Sequence, residues 1–136
     1  MGIDTYLAYP EGYEPNERLL QFAKKKAEET GTKLVLTNDF EEAVTDADII
    51  YANTWHGMAA TQPKTREERL KDWAPFQVNE AALAKAKNDV IFMHCLPGYR
   101  GEEMTDEVVE GPHSVVWDEA ENRMHTQKAV LSLLIA

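Results

Sequence analysis

Apolar residues along this chain come in short bursts, and two spacings alternate. Asp4 to Ala8, within IDTYLAYP, is a compact run of strand length, and so are Lys33 to Thr37 (KLVLT), Ile49 to Ala52 (IIYA), Val90 to Met93 (VIFM) and Ser114 to Trp117. Between the first two, the segment NERLLQFAKKKAEETG repeats apolar residues at Leu19, Leu20, Phe22, Ala23 and Ala27, with acid early and Gly31 just past the end. That pattern predicts an amphipathic helix with a glycine stop. Shorter helices are expected at Asp39 to Thr45, capped by Asn38, at Asn79 to Lys87 and at Thr105 to Val109, and a long one from Glu119 to Ile135. Pro10-Glu11-Gly12-Tyr13 marks a turn. Thr61 to Asp72 (TQPKTREERLKD) is polar and densely charged, and reads as an exposed loop carrying at most one helical turn.

Strands alternating with helices specify an α/β fold: an open, mostly parallel sheet with helices on both faces, Rossmann-like in arrangement. Parallel strands need crossovers, and the crossover helices cover the sheet. At 136 residues the chain is the size of one domain. In such sheets ligands gather at the carboxyl ends of the strands, so the residues that follow each strand carry the functional question.

Composition narrows the answer. A formal charge of -10 opposes a surface for nucleic-acid phosphates or anionic lipid, so neither nucleic acid nor membrane is an expected partner. The opening MGIDTYLAYP lacks the features of a secretory signal, and no apolar run is long enough to span a bilayer, which makes a cytoplasmic location the expectation. The single cysteine, Cys95, has no second thiol with which to form an internal disulfide or a CxxC motif. The four histidines, His56, His94, His113 and His125, lack the spacing of a usual metal site, and none is expected.

Three segments after strands would converge on one edge: Asn53 to Met58, His94-Cys95-Leu96-Pro97, and Asp118 to Arg123. Such convergence is what a small-molecule site requires. Cys95 reads either as a small half-buried hydrophobe or as a positioned polar group. Pro97 is expected to hold Leu96 extended, and a cis bond is open to it, so that the Cys95 and Leu96 carbonyls become fixed acceptors suited to an amine. His94 is either packed support or a direct participant, with no proton assigned to it. Arg123, placed in the first turn of the last helix, would sit against the positive end of the dipole, a conflict that a bound ligand or a salt bridge to Glu119 or Glu121 would resolve. Asn53 is a turn-former or a ligand group. Trp55 and Trp117 read as core or interface packing.

The stretch MHCLPGYRGEEMTDEVVEGPHSVVWDEAENRMHTQKAVLSLL, with its HCLP and DEAENR elements, resembles the carboxyl-terminal part of ornithine carbamoyltransferases. YPEGYEPN, GTKLVLTND, ADIIYANTW and FQVNEAAL resemble earlier elements of the same second domain, so the likeness covers essentially the whole chain. The resemblance implies transfer of a carbamoyl group from carbamoyl phosphate to the side-chain amine of ornithine, giving citrulline and phosphate with no metal or organic cofactor. It implies that Cys95 and the Leu96 carbonyl, with Pro97 shaping the turn, lie beside the reacting amine. Arg123 would donate toward the carbamoyl oxygen, and His94 belongs to the same group. The segment from Thr61 to Asp72 would correspond to one that closes over substrate.

The likeness has two gaps. Where the family usually reads D-x-x-x-S-M-G, this chain has Asn53-Thr54-Trp55-His56-Gly57-Met58-Ala59, so of the amino-acid clamp formed through Asn53, Gly57 and Met58 only the methionine matches. Losing the aspartate charge would weaken a buried contact to the α-amino group by about 1 to 3 kcal/mol. The acceptor is then ornithine or a related amine such as putrescine, or an amino acid with a modified or absent α-amino group. Neither S-T-R-T nor H-P-x-Q occurs, so carbamoyl phosphate would be held by a domain outside this chain, whose 1–136 would be the ornithine-binding domain lacking its first strand and helix. The resemblance implies a trimer for the intact family. An unpaired sheet edge would make this chain alone a dimer or strand-swapped homo-oligomer. A non-catalytic binding or assembly module that keeps the fold is the alternative reading.

Overall fold

The computed structural model describes residues 2–56 and 64–135. Its elements in chain order are β1 (Thr5–Ala8), α1 (Glu17–Thr30), β2 (Leu34–Thr37), α2 (Phe40–Val44), β3 (Ile49–Ala52), α3 (Arg66–Trp73), a 3-10 turn (Ala74–Phe76), α4 (Glu80–Leu83), β4 (Ile91–His94), α5 (Asp106–Val109) and α6 (Val116–Ile135). The α/β alternation with parallel strands is the one expected. Among the described residues the strands form two hydrogen-bonded pairs: β1 with β2, in register Thr5 to Leu34, and β3 with β4, in register Ile49 to Ile91. No ladder joins β1 to β3. A cavity of about 320 Å³ lies between them, lined by Tyr6 to Ala8 on one side and Ile49 to Asn53 on the other.

Local chemistry explains most boundaries. Asn16 Oδ1 accepts from the N–H groups of Arg18 and Leu19, starting α1, and Gly31 ends it at φ 69°, where a side chain would be strained. The core lies under β3 and β4: Ile50, Ala52, Val78, Ala82, Val90, Phe92, Met104, Val108, Val109 and Val116 are buried together. In α1 no residue is buried.

Four expectations are corrected. Asp39, not Asn38, caps α2, its Oδ1 accepting from Glu41 and Glu42, while Asn38 Nδ2 donates to the Tyr9 carbonyl. Within the charged stretch, residues from Arg66 onward form a true helix rather than an exposed loop. Thr65 Oγ1 accepts from the Glu68 N–H and Glu68 returns the bond to the Thr65 N–H, a capping box. Of the helix expected at Asn79 to Lys87, only Glu80–Leu83 is α-helical; Lys85 and Ala86 bond back three residues instead of four. Ser114 to Trp117 is not a strand: Phe92 N–H donates to the His113 carbonyl and Val115 N–H to that of Phe92, a single parallel bridge at Ser114. The chain then turns helical at Val116, whose side chain is buried in the core. Trp117 on that first turn is exposed and so is not part of the core.

Candidate active site

β3 and β4 run parallel, so the segments after them leave the same edge, and their first polar residues meet. Cys95 Sγ donates toward Asn53 Oδ1 at 3.5 Å. Asn53 Oδ1 also accepts the Thr54 N–H at 2.8 Å, which fixes the amide's orientation at the strand end. From α6, Glu119 reaches both strands: Oε1 accepts from the Tyr51 hydroxyl at 2.8 Å and Oε2 from the His94 N–H at 3.1 Å. Burial raises the Tyr51 phenol above its ordinary range, and the hydrogen bond and charge of Glu119 raise it further. The phenol therefore stays protonated and donates.

Around Cys95 the chain makes a tight loop. The Leu96-Pro97 bond is cis, and Leu96 has φ 49°, so the expectation of an extended Leu96 is corrected. Its N–H turns inward instead, to His94 Nδ1 at 2.9 Å. His94 is fully buried at 1% exposure, packed support in its geometry, with Nε2 at 3.3 Å from Glu103 Oε1. Pro97 is exposed beside the half-buried Cys95.

Arg123 stands elsewhere than expected. Because α6 begins at Val116, Arg123 lies about two turns into the helix, beyond the reach of its N-terminal dipole. It is exposed and follows Glu119 by one turn on the same helix face. Neither expected salt bridge forms: Glu119 is held by Tyr51 and the His94 N–H, and Glu121 by His125 at 3.3 Å. The guanidinium makes no hydrogen bond or ion pair among the described residues, and it stands one helical turn beyond Glu119, whose carboxylate holds the His94 N–H. Gly57 and Met58 lie outside the described residues.

Other residues define the rim. Trp55 is buried and stacks on Trp73 of α3 at 6.2 Å, as core packing should. His56 pairs with Glu102, which also pairs with Arg66 of α3, and sits edge-on to Tyr99 at 5.1 Å. Asp72 accepts from Tyr13 at 2.9 Å and Lys64 at 2.6 Å, and both bonds hold its carboxyl below the ordinary value. Sequence reasoning missed Tyr51, Glu102 and Glu103. Of these only Tyr51, two residues before Asn53, flanks a segment already singled out, and position alone could have raised it. Among the described residues no group of three or more His, Cys, Asp or Glu side chains is placed to hold a metal ion, and no helix is long and apolar enough to cross a membrane.

Comparison with known proteins bears on the family and the fold. The family profile described as aspartate/ornithine carbamoyltransferase, Asp/Orn binding domain, matches residues 1–134. The ornithine carbamoyltransferase of Pyrococcus abyssi is 52% identical over 135 residues, which is 99% of this chain and 42% of that protein. Among solved structures, ornithine carbamoyltransferase from Pyrococcus furiosus superposes with a TM-score of 0.86 at 51% identity, covering 96% of this chain and 41% of that one. The anabolic enzyme from Campylobacter jejuni gives 0.88 at 35% identity, covering 98% and 43%. The chain therefore spans less than half the length of the relatives it matches. With the profile running through nearly every residue and half the aligned positions identical, this chain belongs to the aspartate/ornithine carbamoyltransferase family.

Proposed function

We propose that this chain supplies the amine-acceptor half of a carbamoyl-transfer site. The acceptor is ornithine or a related amine, and carbamoyl phosphate is held by a domain outside residues 1–136. The observation that carries the reading is the meeting of Cys95 and Asn53 at 3.5 Å across the ends of two parallel strands, in a chain of this family. In the reaction the neutral amine nitrogen attacks the carbamoyl carbon. A C–N bond forms, negative charge collects on the carbonyl oxygen, and the C–O bond to phosphate then breaks while the nitrogen loses a proton. Speed comes from orienting the amine and stabilising that oxygen. The Cys95 thiol and the Leu96 carbonyl orient the amine, Pro97 fixes the turn, and the uncommitted Arg123 guanidinium donates to the oxygen. His94 acts from beneath by holding Leu96. Asn53, Gly57 and Met58 form the amino-acid clamp. With an amide in place of a carboxylate at Asn53, the clamp takes ornithine, another amine such as putrescine, or an amino acid whose α-amino group is modified or absent.

The reading is tested by assaying carbamoyl transfer to ornithine, putrescine and N-acetylornithine, with the chain alone and with a carbamoyl-phosphate-binding domain added. Product only after addition supports the half-site, and the acceptor that reacts names the clamp's ligand. In that complemented enzyme Cys95→Ala and Arg123→Ala should each abolish transfer while thermal unfolding stays near that of the parent. Retained activity in either removes that residue from the site. No product with a correctly assembled partner would leave a binding or assembly module that keeps the fold.

We also propose that the chain alone associates with itself. Support comes from the facing, unladdered strands β1 and β3 and from the exposed apolar residues Leu133, Leu134 and Ile135 at the end of α6.

A further inference from the structure

The loop that presents Cys95 rests on a carboxylate that the chemistry above does not use. Leu96 holds φ 49°, a left-handed conformation that residues with a side chain rarely adopt, so something must hold it there. Its N–H donates to His94 Nδ1 at 2.9 Å. A ring nitrogen that accepts carries no hydrogen, which puts the ring's hydrogen on Nε2. Nε2 faces Glu103 Oε1 at 3.3 Å, a polar contact rather than an aligned hydrogen bond.

The same Oε1 accepts the Tyr99 N–H at 2.6 Å, where the loop leaves the site. Glu103 is itself anchored: its carbonyl accepts the Val78 N–H at 3.0 Å, and its side chain is 1% exposed. Gly98 passes over the pair so closely that a Cβ would stand 3.1 Å from His94 Cε1 and 3.3 Å from Glu103 Oε1. One carboxylate oxygen thus joins the loop's exit at Tyr99 to the ring that holds its apex at Leu96. Burial disfavours a charge here, and Glu103 Oε2 has no hydrogen-bond partner among the described residues. An apolar side chain would fill the volume more cheaply; what it would lack is an acceptor for both groups. Burial pushes the carboxyl pKa up, yet His94 and the Tyr99 N–H bring it below its ordinary value, in keeping with an ionised acceptor.

We propose that Glu103 is a positioning residue that acts through His94 to fix the Leu96 backbone, and with it the placement of the Cys95 thiol and the Leu96 carbonyl toward the acceptor amine. The catalytic consequence rests on the carbamoyl-transfer reading; the hold on the loop does not.

Cys95 is the chain's one cysteine, so a thiol-reactive aromatic disulfide such as DTNB reports on this loop alone. In the intact chain Glu103→Ala should change the thiol's reaction rate by about fivefold or more, because geometry and neighbours govern thiolate reactivity. Glu103→Gln, which keeps an acceptor oxygen, should stay within about twofold, as should Val109→Ala, a core truncation in α5, with all variants compared at equal fraction folded. Nitrogen-15 spectra of wild-type His94 should show a neutral ring with its hydrogen on Nε2. A hydrogen on Nδ1, or a rate unmoved by Glu103→Ala, overturns the proposal. Should Glu103→Ala fail to fold, the wild-type tautomer and the Gln variant decide it: a Gln variant as altered as an unfolded chain would overturn it too. In the complemented transferase Glu103→Ala should lower kcat by about tenfold or more with KM for carbamoyl phosphate little changed, and Gln should restore most of the loss. A wild-type chain without transfer activity but with the expected tautomer and thiol rates would sink the carbamoyl-transfer reading and leave Glu103's hold on the loop supported.

Discussion

The two strand pairs have the same length, the same parallel sense and the same four-residue register, yet they differ in what covers them. In β3 and β4, Ile50, Ala52, Phe92 and His94 are buried beneath α4, α5 and the first turn of α6. In β1 and β2 no residue is buried, and the helix between them, α1, has Leu19 at 66% and Phe22 at 63% exposure. A parallel ladder alone therefore does not make an interior. Parallel pairs are most stable when both faces are covered; here the second pair has one face buried, with Ile49 and Tyr51 exposed on the other, and the first pair has neither. The candidate site inherits the difference: Asn53, Cys95 and His94 extend from the packed pair, whose rigidity fixes them.

The sharpest way to break this comparison is to truncate one side chain in each pair. Phe92→Ala, from a fully buried position, should cost about 3 to 5 kcal/mol in urea denaturation followed by tryptophan fluorescence. Leu7→Ala in β1 should cost under about 1 kcal/mol, since much of that side chain is already in water. Similar costs would mean that the β1 to β2 unit has an interior of its own.

Two glycines repeat the contrast at smaller scale. At Gly98 an added Cβ would stand 2.2 Å from Met104 Cε and press on the buried His94 ring, so Gly98→Ala should cost about 1 to 3 kcal/mol and alter Cys95 reactivity. Gly31, with φ 69°, has open space around it. Gly31→Ala meets only the backbone penalty, about 1 kcal/mol, seen as loss of the last turn of α1 by circular dichroism with the site unchanged.

What could be read from the sequence follows the same division between local and tertiary control. The strand Ile49–Ala52 and the Asn16 to Gly31 helix are set by nearby residues, through an apolar run and caps, and the chain announces them; at HCLP the proline announces a break but not the left-handed Leu96. Thr65-x-x-Glu68 was legible too as a capping box, but the surrounding charge argued for a loop and hid it. The apolar run at Val115 to Trp117 was ambiguous, because a buried first helical turn and a short strand show the same letters. Glu103 was beyond reach: in RGEEM both acids look like surface, and only the fold of the loop places one under His94 and the other against His56. Arg123's placement failed with its helix start, an error of a few residues that changed the electrostatic argument entirely.

The smallest expected effect is also the one that bears on assembly. Replacing Leu19 and Phe22 together by Gln removes no buried side chain, only an exposed contact of Lys26 Nζ with the Phe22 ring at 5.8 Å, and each change should move stability by under about 0.5 kcal/mol. Burial in a contact between copies would change that result in a characteristic way. The loss would then exceed about 1 kcal/mol and grow with protein concentration, because the parent's apparent stability would include association by mass action. Denaturation at two concentrations a hundredfold apart separates the cases. A concentration-independent, near-zero effect leaves α1 as open surface and assigns any self-association to the strand edges or the end of α6. A concentration-dependent loss makes α1 part of the contact, and the missing cover over β1 and β2 would then be supplied by a second copy.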